Sequence, residues 1–358
     1  MKIGITYTAR SAPRPAFARS MLGDGCPDDA EEEFDSPETI AAIAIAIESL
    51  GHEVELLGDG LALAERLTSG HQPDLVFNLA EGRGICRTRE TWVPALLESL
   101  DIPYTGSDPL TLAVALDKDC AKRLVRDAGV RVPLGIVVRD VADLQWDRLD
   151  DFPTPLIVKP AFEGSSKGIR SHSLVESRDE LPDAVARCCN NYTQPALVEE
   201  FIAGEELTVG VLGNDSRKEL GIMRVVPLNT SDRFIYSLDV KRDWRRQVRY
   251  EIPARLSEAD QHAVQTAALA AYEALGCRDV ARLDFRLRDG VLYFLEANPL
   301  PGLTPESSDL VIMFAGLHFE YRELIGRILD AALDRLAKSE GVDRSHGRAP
   351  EPEPITCL

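Results

Sequence analysis

Four polar side chains lie within two short runs that otherwise have the composition of β-strands. Arg282 and Asp284 belong to VARLDFRLR, and Glu296 and Asn298 end VLYFLEAN. The Asp289-Gly290 pair between the runs predicts a β-hairpin. Because side chains alternate across a strand, each polar pair lies on one face of its own strand. Carboxylate and amide oxygens bind Mg²⁺ and a guanidinium binds phosphate, so these residue types indicate a magnesium–phosphate site.

The turn decides whether the two polar pairs share a face. A two-residue Asp289-Gly290 loop pairs Arg288 with Val291, and this register puts Asp284 and Glu296 on opposite faces. A three-residue loop with a bulge pairs Leu287 with Val291 instead, and it puts the two carboxylates on the same face. We expect the three-residue loop, because it also gathers an apolar set on the other face. That set is Leu283, Phe285, Leu287, Val291, Tyr293, Leu295 and Ala297.

Further candidates are lysines and glutamates that could contact a phosphorylated ligand. Lys159 ends the run LIVKP and leads into Gly164-Ser165-Ser166-Lys167-Gly168, where small residues let backbone N–H groups and hydroxyls surround an anion. The pattern is not a P-loop, and a lone glycine-rich loop is more often an ordinary turn. Glu199, Glu200, Glu205 and Glu206 in VEEFIAGEE could bind ribose or adenine, although an acidic strand edge is more often only solvated.

Two more groups of cations are ambiguous by themselves. Lys118 follows LAVAL and could contact a phosphate, but a solvated helical lysine is the simpler interpretation. Residues 227–250 have no clear period and contain Lys241, Arg242, Arg245 and Arg246. A long irregular segment inside a compact domain can close as a lid over phosphates, or it can be a disordered basic segment.

The composition is that of a globular protein, with 44% hydrophobic and 28% charged residues. The formal net charge of −19 argues against nucleic-acid binding. Seven cysteines without CxxC pairing predict free thiols in a reducing cytoplasm, and six scattered histidines make a zinc site unexpected. No run is long and apolar enough to predict a membrane span.

The elements that must position these residues form three predicted units. Residues 1–107 show a β-α-β-α-β order, which predicts a Rossmann-like parallel sheet. Its first helix has Ser36 as N-cap and a buried stripe of Ile40, Ile43, Ile47 and Leu50. Residues 108–193 predict an α+β lobe, and residues 194–336 a second one that contains the strands ALVEEFI, ELTVGVLG and ELGIMRVV and the hairpin. Residues 9–35 are expected to be a long loop and residues 337–358 a disordered tail.

In combination, these motifs resemble the ATP-grasp superfamily and, within it, the D-alanine–D-alanine ligase family. The resemblance extends from about residue 75 to 330 and rests on the order and spacing of four segments. They are IPYTGS with ALDK, VKPAFEGSSKGI, LVEEFIAGEELTVGVLG and RLDFRLRDGVLYFLEANPLPGLTPES. It implies an ATP-grasp fold, mixed α/β and α+β, in which a Rossmann-like domain precedes two α+β lobes that enclose ATP.

The resemblance also implies roles for individual residues. Lys118, Lys159, Glu199, Glu200, Ile202 and Glu206 would bind ATP. Asp284, Glu296 and Asn298 would bind two Mg²⁺ ions, with Mn²⁺ as an alternative. Arg282, Ser165 and Lys241 would be catalytic, and Gly302, Ser307 and Ser308 would receive the carboxylate of the second substrate.

The implied activity is ligation of two amino acids through an acyl phosphate, with D-alanine as the reference substrate, in the cytoplasm and as part of peptidoglycan biosynthesis. The resemblance also suggests a homodimer. Two alternatives stay open: a ligase for other amino acids or amines in specialised metabolism, and a nucleotide-binding regulator without turnover.

The sequence departs from the family where the amino acids would bind. The glycine-rich opening with its substrate-orienting glutamate is absent after KIGITY, and Glu32 or Glu33 is the candidate counterpart. AEGRGICRTRE replaces HGxxGEDG, so Glu81, Arg87, Arg89 or Glu90 could face the substrate. The usual Lys-Tyr of the lid is Lys241-Arg242, which removes the tyrosine normally linked to the serine at position 165.

Overall fold

The computed structural model describes residues 1–10, 27–70, 72–214, 219–229 and 233–345. Its strands form three sheets. The strands are β1 (Lys2–Tyr7), β2 (Glu53–Leu56), β3 (Leu75–Leu79), β4 (Gly135–Val138), β5 (Leu156–Pro160), β6 (Leu174–Val175), β7 (Ala196–Glu200), β8 (Glu205–Leu212), β9 (Glu219–Pro227), β10 (Val248–Glu251), β11 (Val280–Arg288) and β12 (Val291–Asn298).

The α-helices cover the faces and edges of these sheets. They are α1 (Pro37–Ser49), α2 (Gly60–Thr68), α3 (Trp92–Ser99), α4 (Pro109–Leu116), α5 (Lys118–Asp127), α6 (Trp146–Leu149), α7 (Leu181–Tyr192), α8 (Leu238–Arg242), α9 (Trp244–Gln247), α10 (Glu258–Ala274), α11 (Asp309–Gly316) and α12 (Tyr321–Ser345).

The N-terminal sheet is parallel, as the sequence predicted, with β1 between β2 and β3. Ser36 caps α1 by accepting the backbone N–H of Thr39. The expected stripe of this helix is buried at Ile40, Ile43 and Ile47. Leu50 is 37% exposed, so its assignment to the stripe was wrong. The helix ends at Ser49, and Leu50 as its C-cap no longer follows the helical spacing.

The central sheet has the order β4-β7-β5-β6 and is antiparallel. The prediction that ALVEEFI belongs with the strands that follow it is wrong, because β7 lies between β4 and β5. The boundary predicted at residue 193/194 therefore precedes a strand of the central sheet. The other predicted boundaries, after residues 107 and 336, remain predictions.

The C-terminal sheet has the order β10-β9-β8-β11-β12. Helix α11 lies close against its face, since a Cβ on Gly210 would meet Leu310 Cδ1 at 2.7 Å. Helix α12 shares a hydrophobic core with β1, β3 and α1, which joins this sheet to the N-terminal one. Residues 337–345 were predicted to be disordered but belong to α12, and residues 346–358 lie outside the described residues.

The hairpin of β11 and β12 corrects the predicted register. Arg288 pairs with Val291, so the turn is the two-residue Asp289-Gly290 loop, and both turn residues have positive φ (52° and 73°). A register shift after Asp284 restores direct pairing of Asp284 with Glu296. The shared face was therefore predicted correctly, but from a bulge in the wrong place.

The two-residue turn also determines which side chains of β12 enter the hydrophobic core. Leu283, Phe285, Leu287 and Ala297 are buried there, as expected. On β12, however, the core residues include Phe294 and the partly buried Leu292, while Leu295 lines a cleft beside Glu296. The predicted placement of Val291, Tyr293 and Leu295 on the core face was wrong. The two-residue turn pairs Val291 with Arg288 and Tyr293 with Arg286, which puts Leu292 and Phe294 opposite the core residues Leu287 and Phe285, and the bulge comes only after Phe294.

Two expectations from composition can be compared with the described residues. Cys86, Cys120, Cys188, Cys189 and Cys277 are free thiols, as predicted, while Cys26 and Cys357 lie outside the described residues. Within the described ranges, no helix is both long and apolar enough to cross a membrane. The loop predicted for residues 9–35 is described only in part, because residues 11–26 lie outside these ranges.

Candidate active site

The polar face of the hairpin holds two facing carboxylates. Asp284 Oδ2 accepts hydrogen bonds from Arg282 Nη2 at 3.0 Å and from Asn298 Nδ2 at 3.4 Å. Asp284 Oδ1 is buried and has no hydrogen-bond partner in the described part of the chain. Burial raises the pKa of Asp284; Arg282 opposes this shift, and Glu296 adds to it. An unpaired, desolvated carboxylate oxygen beside a second carboxylate and an amide fits a divalent cation.

This ligand set is incomplete by itself. Within the described ranges, no three His, Cys, Asp or Glu side chains gather in a metal-binding arrangement. Mg²⁺ commonly takes one or two carboxylates and completes its shell with water and substrate phosphates. The arrangement at Asp284, Glu296 and Asn298 therefore suits a metal that is bound together with a phosphorylated substrate.

Buried lysines surround Glu296. Lys118 begins α5 and its Nζ lies 2.7 Å from Glu296 Oε2. Lys159 Nζ lies 2.6 Å from Glu199 Oε2, and Lys122 also pairs with Glu199. Burial opposes ionisation of Glu296, but Lys118 and Lys159 outweigh it and hold its pKa well below the usual range. Sequence reasoning missed Lys122, although its position four residues after Lys118 places both on one face of α5.

A narrow cleft between the central and C-terminal sheets is lined by the residues that the resemblance assigned to ATP. They include Lys159, Glu199, Glu200, Ile202 and Glu206. Glu206 pairs with Arg286 at 2.5 Å, and Glu200 pairs with Arg288 at 2.9 Å. Burial raises the pKa of Glu206, and Arg286 opposes the shift. Sequence reasoning missed both arginines, although strand alternation places them on the same face as Arg282 and Asp284.

Lys241 contacts a carboxylate that sequence reasoning also missed. It lies on α8, within the segment interpreted as a possible lid, and its Nζ is 3.4 Å from Asp309 Oδ2. Asp309 also accepts a hydrogen bond from the Tyr236 hydroxyl at 2.8 Å and lies 3.8 Å from Arg282. An acid in the first turn of a helix is an ordinary sequence feature, so no signal marked Asp309.

The candidate amino-acid residues line a cavity of about 300 Å³ beside the hairpin. Its lining includes Ser165, Lys118, Arg282, Asn298, Gly302, Ser307 and Ser308. Ser308 Oγ accepts the backbone N–H of Thr304 at 2.9 Å, which holds the loop after the hairpin in a closed turn. Ser165 has a φ of 48°, the left-handed conformation that lets the chain turn sharply at the cavity wall.

Glu33, rather than Glu32, is the acid that reaches the glycine-serine loop. It pairs with Arg89 at 2.9 Å and with Lys167 at 3.1 Å, and its Oε1 accepts the backbone N–H of Gly164 at 2.7 Å. A Cβ at Gly164 would lie 2.7 Å from the same oxygen, so only glycine permits this approach. Glu33 therefore clamps the segment before α1 onto the central lobe, with both carboxylate oxygens occupied.

The other candidates in the divergent segments have separate positions. Glu32 pairs with Arg242 at 2.7 Å. Arg87 is more than half exposed and pairs with Asp117 at 2.8 Å. Glu81 and Glu90 line the cavity. The structure thus brings Arg89, Glu81 and Glu90 to the site, while Arg87 lies at its periphery.

Comparisons with known proteins agree with this geometry. Residues 138–330 match the family described as D-ala D-ala ligase C-terminus. A D-alanine–D-alanine ligase of Anaeromyxobacter dehalogenans is 37% identical over 301 residues, which cover 83% of this chain and 92% of that protein. Uncharacterized protein y4sG of Sinorhizobium fredii is 34% identical and covers 81% of this chain and 86% of its own length.

Solved structures share the fold. D-alanine–D-alanine ligase from Bacillus anthracis complexed with ATP superposes with a TM-score of 0.70 at 24% identity, covering 95% of this chain and 99% of that one. VanG D-Ala:D-Ser ligase from Enterococcus faecalis gives a TM-score of 0.68 at 22% identity, covering 92% and 99%. The sheets, the hairpin site and these matches together show that the chain belongs to the D-alanine–D-alanine ligase family, a family of ATP-grasp ligases.

Proposed function

We propose that this protein uses ATP to activate the carboxyl group of one amino acid and joins it to the amine of a second. The single observation that carries the proposal is the buried, unpartnered Asp284 Oδ1 directly across the hairpin from Glu296. Such an oxygen is costly to bury unless a cation binds it. The fold and the family membership support the same activity.

Two groups of residues would bind the substrates, one for ATP with its metal and one for the amino acids. Lys118 and Lys159 would hold ATP phosphates, and the cleft with Glu199, Glu200, Ile202 and Glu206 would hold the nucleoside. Asp284, Glu296 and Asn298 would hold Mg²⁺ or Mn²⁺, in the two-ion arrangement that the resemblance implies, and a bound cation would neutralise charge on the transferred phosphoryl group. Gly302, Ser307 and Ser308 would receive the carboxylate of the second amino acid.

Two bond-making steps follow from this assignment. A carboxylate oxygen of the first amino acid attacks the γ-phosphorus of ATP, ADP leaves, and an acyl phosphate forms. The neutral amine of the second amino acid then attacks the acyl carbon, phosphate leaves, and the amine loses a proton as the amide forms. Arg282 would stabilise the accumulating negative charge, and closure of the segment that carries Lys241 would exclude water from the acyl phosphate.

The test measures ADP and phosphate release from ATP and Mg²⁺ with a panel of D- and L-amino acids, singly and in pairs. D-alanine is the reference, because curated relatives bear its name. We expect release that depends on an amino acid, yields one dipeptide per ADP by mass spectrometry, and stops when Mg²⁺ is chelated. The absence of release with every amino acid would leave the regulator alternative and reject the ligase.

A further inference from the structure

Three carboxylates in the wall of the 300 Å³ cavity form no hydrogen bond or ion pair within the described part of the chain. Asp35, Glu81 and Glu90 line the cavity, and none of their side chains makes a hydrogen bond or ion pair with any residue that the structure describes. Glu90 is only 7% exposed and Asp35 only 9%. Glu33 and Glu163 line the same cavity but are both neutralised by Arg89 and Lys167.

These unpaired groups are costly to the free protein. Burial raises the pKa of Asp35 to about 7, although the charge of Arg10 opposes the shift. Burial also raises the pKa of Glu90 to about 8, although the charges of Arg89 and Lys118 oppose the shift. Burial and the charges of Glu90 and Glu33 raise the pKa of Glu81 well above its usual range, against the charge of Arg89. A ligand cation beside Glu81 and Glu90 would remove this cost, because it would give both carboxylates a partner.

The remaining lining residues orient such a ligand. Lys118, Arg282 and Asn298 line the same cavity next to the metal-binding face of the hairpin. The carboxylate that receives the phosphoryl group must point towards them, so an ammonium group of the same molecule is free to face the acidic wall. Glu33 cannot accept that ammonium without giving up Arg89, Lys167 or Gly164.

A ligand with a single ammonium group would give only one of the two carboxylates, Glu81 or Glu90, an ion-pair partner. The charge of Arg10 acts on Asp35, that of Arg89 on Glu81 and Glu90, and that of Lys118 on Glu90. Arg89 is already ion-paired with Glu33 and Glu163, and Lys118 with Glu296, so neither Glu81 nor Glu90 has an ion pair of its own among the described residues. We propose that the carboxyl-donating substrate is a diamino acid, whose α-ammonium and terminal ammonium groups bind Glu81 and Glu90. This inference rests on the proposed ligase function and specifies the substrate class of its first subsite.

The experiment compares substrates that differ only in the terminal charge. Lysine is paired with norleucine and ornithine with norvaline, each as D and L forms, with ATP, Mg²⁺ and D-alanine as the acceptor. ADP release gives kcat/KM for the wild type, for Glu81→Gln and Glu90→Gln, and for Glu65→Gln, which removes the same charge at an exposed site. Thermal unfolding of each variant verifies that it is folded.

We expect the wild type and Glu65→Gln to prefer the diamino acid by at least about tenfold in kcat/KM, because the uncharged isostere leaves buried carboxylates unpaired. In Glu81→Gln and Glu90→Gln the preference should fall to within about threefold, mainly through KM. A wild type that uses norleucine, norvaline or alanine equally well or better overturns the inference and leaves the ligase function standing. An unchanged preference in both variants also overturns it, and absence of ADP release with all amino acids overturns the ligase function itself.

Discussion

The hairpin face and the acidic wall of the cavity are both buried and rich in carboxylates, but they differ in charge balance. On the hairpin, Glu296 and Asp284 lie beside Lys118 and Arg282. On the wall, Glu81 and Glu90 form no ion pair with any described residue, and the nearby cations Arg89 and Lys118 are ion-paired with other carboxylates. The balanced site can hold its geometry before substrate arrives, whereas the unbalanced wall depends on what binds there. We therefore propose that the hairpin determines the reaction type and the wall the choice of substrate.

The largest effect is expected for substitutions in the charge-balanced site on the hairpin. Glu296→Gln and Asp284→Asn remove one charge each, and we expect turnover to fall by about 10³-fold or more, because charge on the phosphoryl group loses its compensation. Steady-state ADP release at saturating ATP measures the loss. Asp289→Asn in the exposed turn removes the same charge from the same hairpin and should keep turnover near wild type. If Glu296→Gln turns over like Asp289→Asn, the metal assignment fails.

The next effect concerns the clamp formed by Glu33 and its cationic partners. Arg89→Met leaves Glu33 and Glu163 without their shared guanidinium, and losing one partner of a buried ion pair costs about 3–5 kcal/mol of unfolding free energy. Urea unfolding at pH 7 measures this cost. Arg87→Met is the matched control, because Arg87 is mostly exposed and should lose no more than about 1 kcal/mol. Equal losses in the two variants would mean that the clamp is not a stabilising element.

The smallest effect is a change in the pH dependence of stability, and it concerns Glu90 in the acidic wall. The pKa of Glu90 rises from its ordinary value of 4.5 to about 8, so between these pH values the folded protein holds a proton that the unfolded chain releases. The free energy of unfolding therefore falls as pH rises through that window. Glu90→Gln does not titrate, so relative to wild type it should gain about 1–3 kcal/mol between pH 5 and pH 8. A variant whose stability follows the wild-type pH dependence would contradict a buried, unpaired Glu90.

Much of the fold was predictable because local rules determined it. Ser36 as an N-cap, the parallel order of the first three strands and the hairpin at Asp289-Gly290 all depend on neighbouring residues. The position of the bulge was not predictable, since a register shift inside a strand has no clear composition signal. The sequence also did not show that ALVEEFI belongs to the central sheet, because the order of strands along the chain does not determine which strand edges pair.

The candidate site divides in the same way. Asp284, Glu296 and Asn298 were singled out because alternation places Glu296 and Asn298 on one face of β12, but it is the bulge that brings this face to the side of Asp284. Asp309, Arg286 and Lys122 were missed because their partners, Lys241, Glu206 and Glu199, lie on distant elements of the chain. Glu32 and Glu33 were equivalent in the sequence, and only the structure distinguishes them.

The sequence by itself determined the family, the residue types of the magnesium–phosphate face and the order of the elements that carry them, because these depend on spacing along one chain. The tertiary structure decided which charges are neutralised. Arg89 forms ion pairs with Glu33 and Glu163, which are distant from it in the sequence, but not with its sequence neighbour Glu90. Whether a buried carboxylate meets a cation therefore depends on distances in the folded chain, which residue spacing does not encode. That difference turns Glu33 into a clamp and leaves Glu81 and Glu90 available to a substrate.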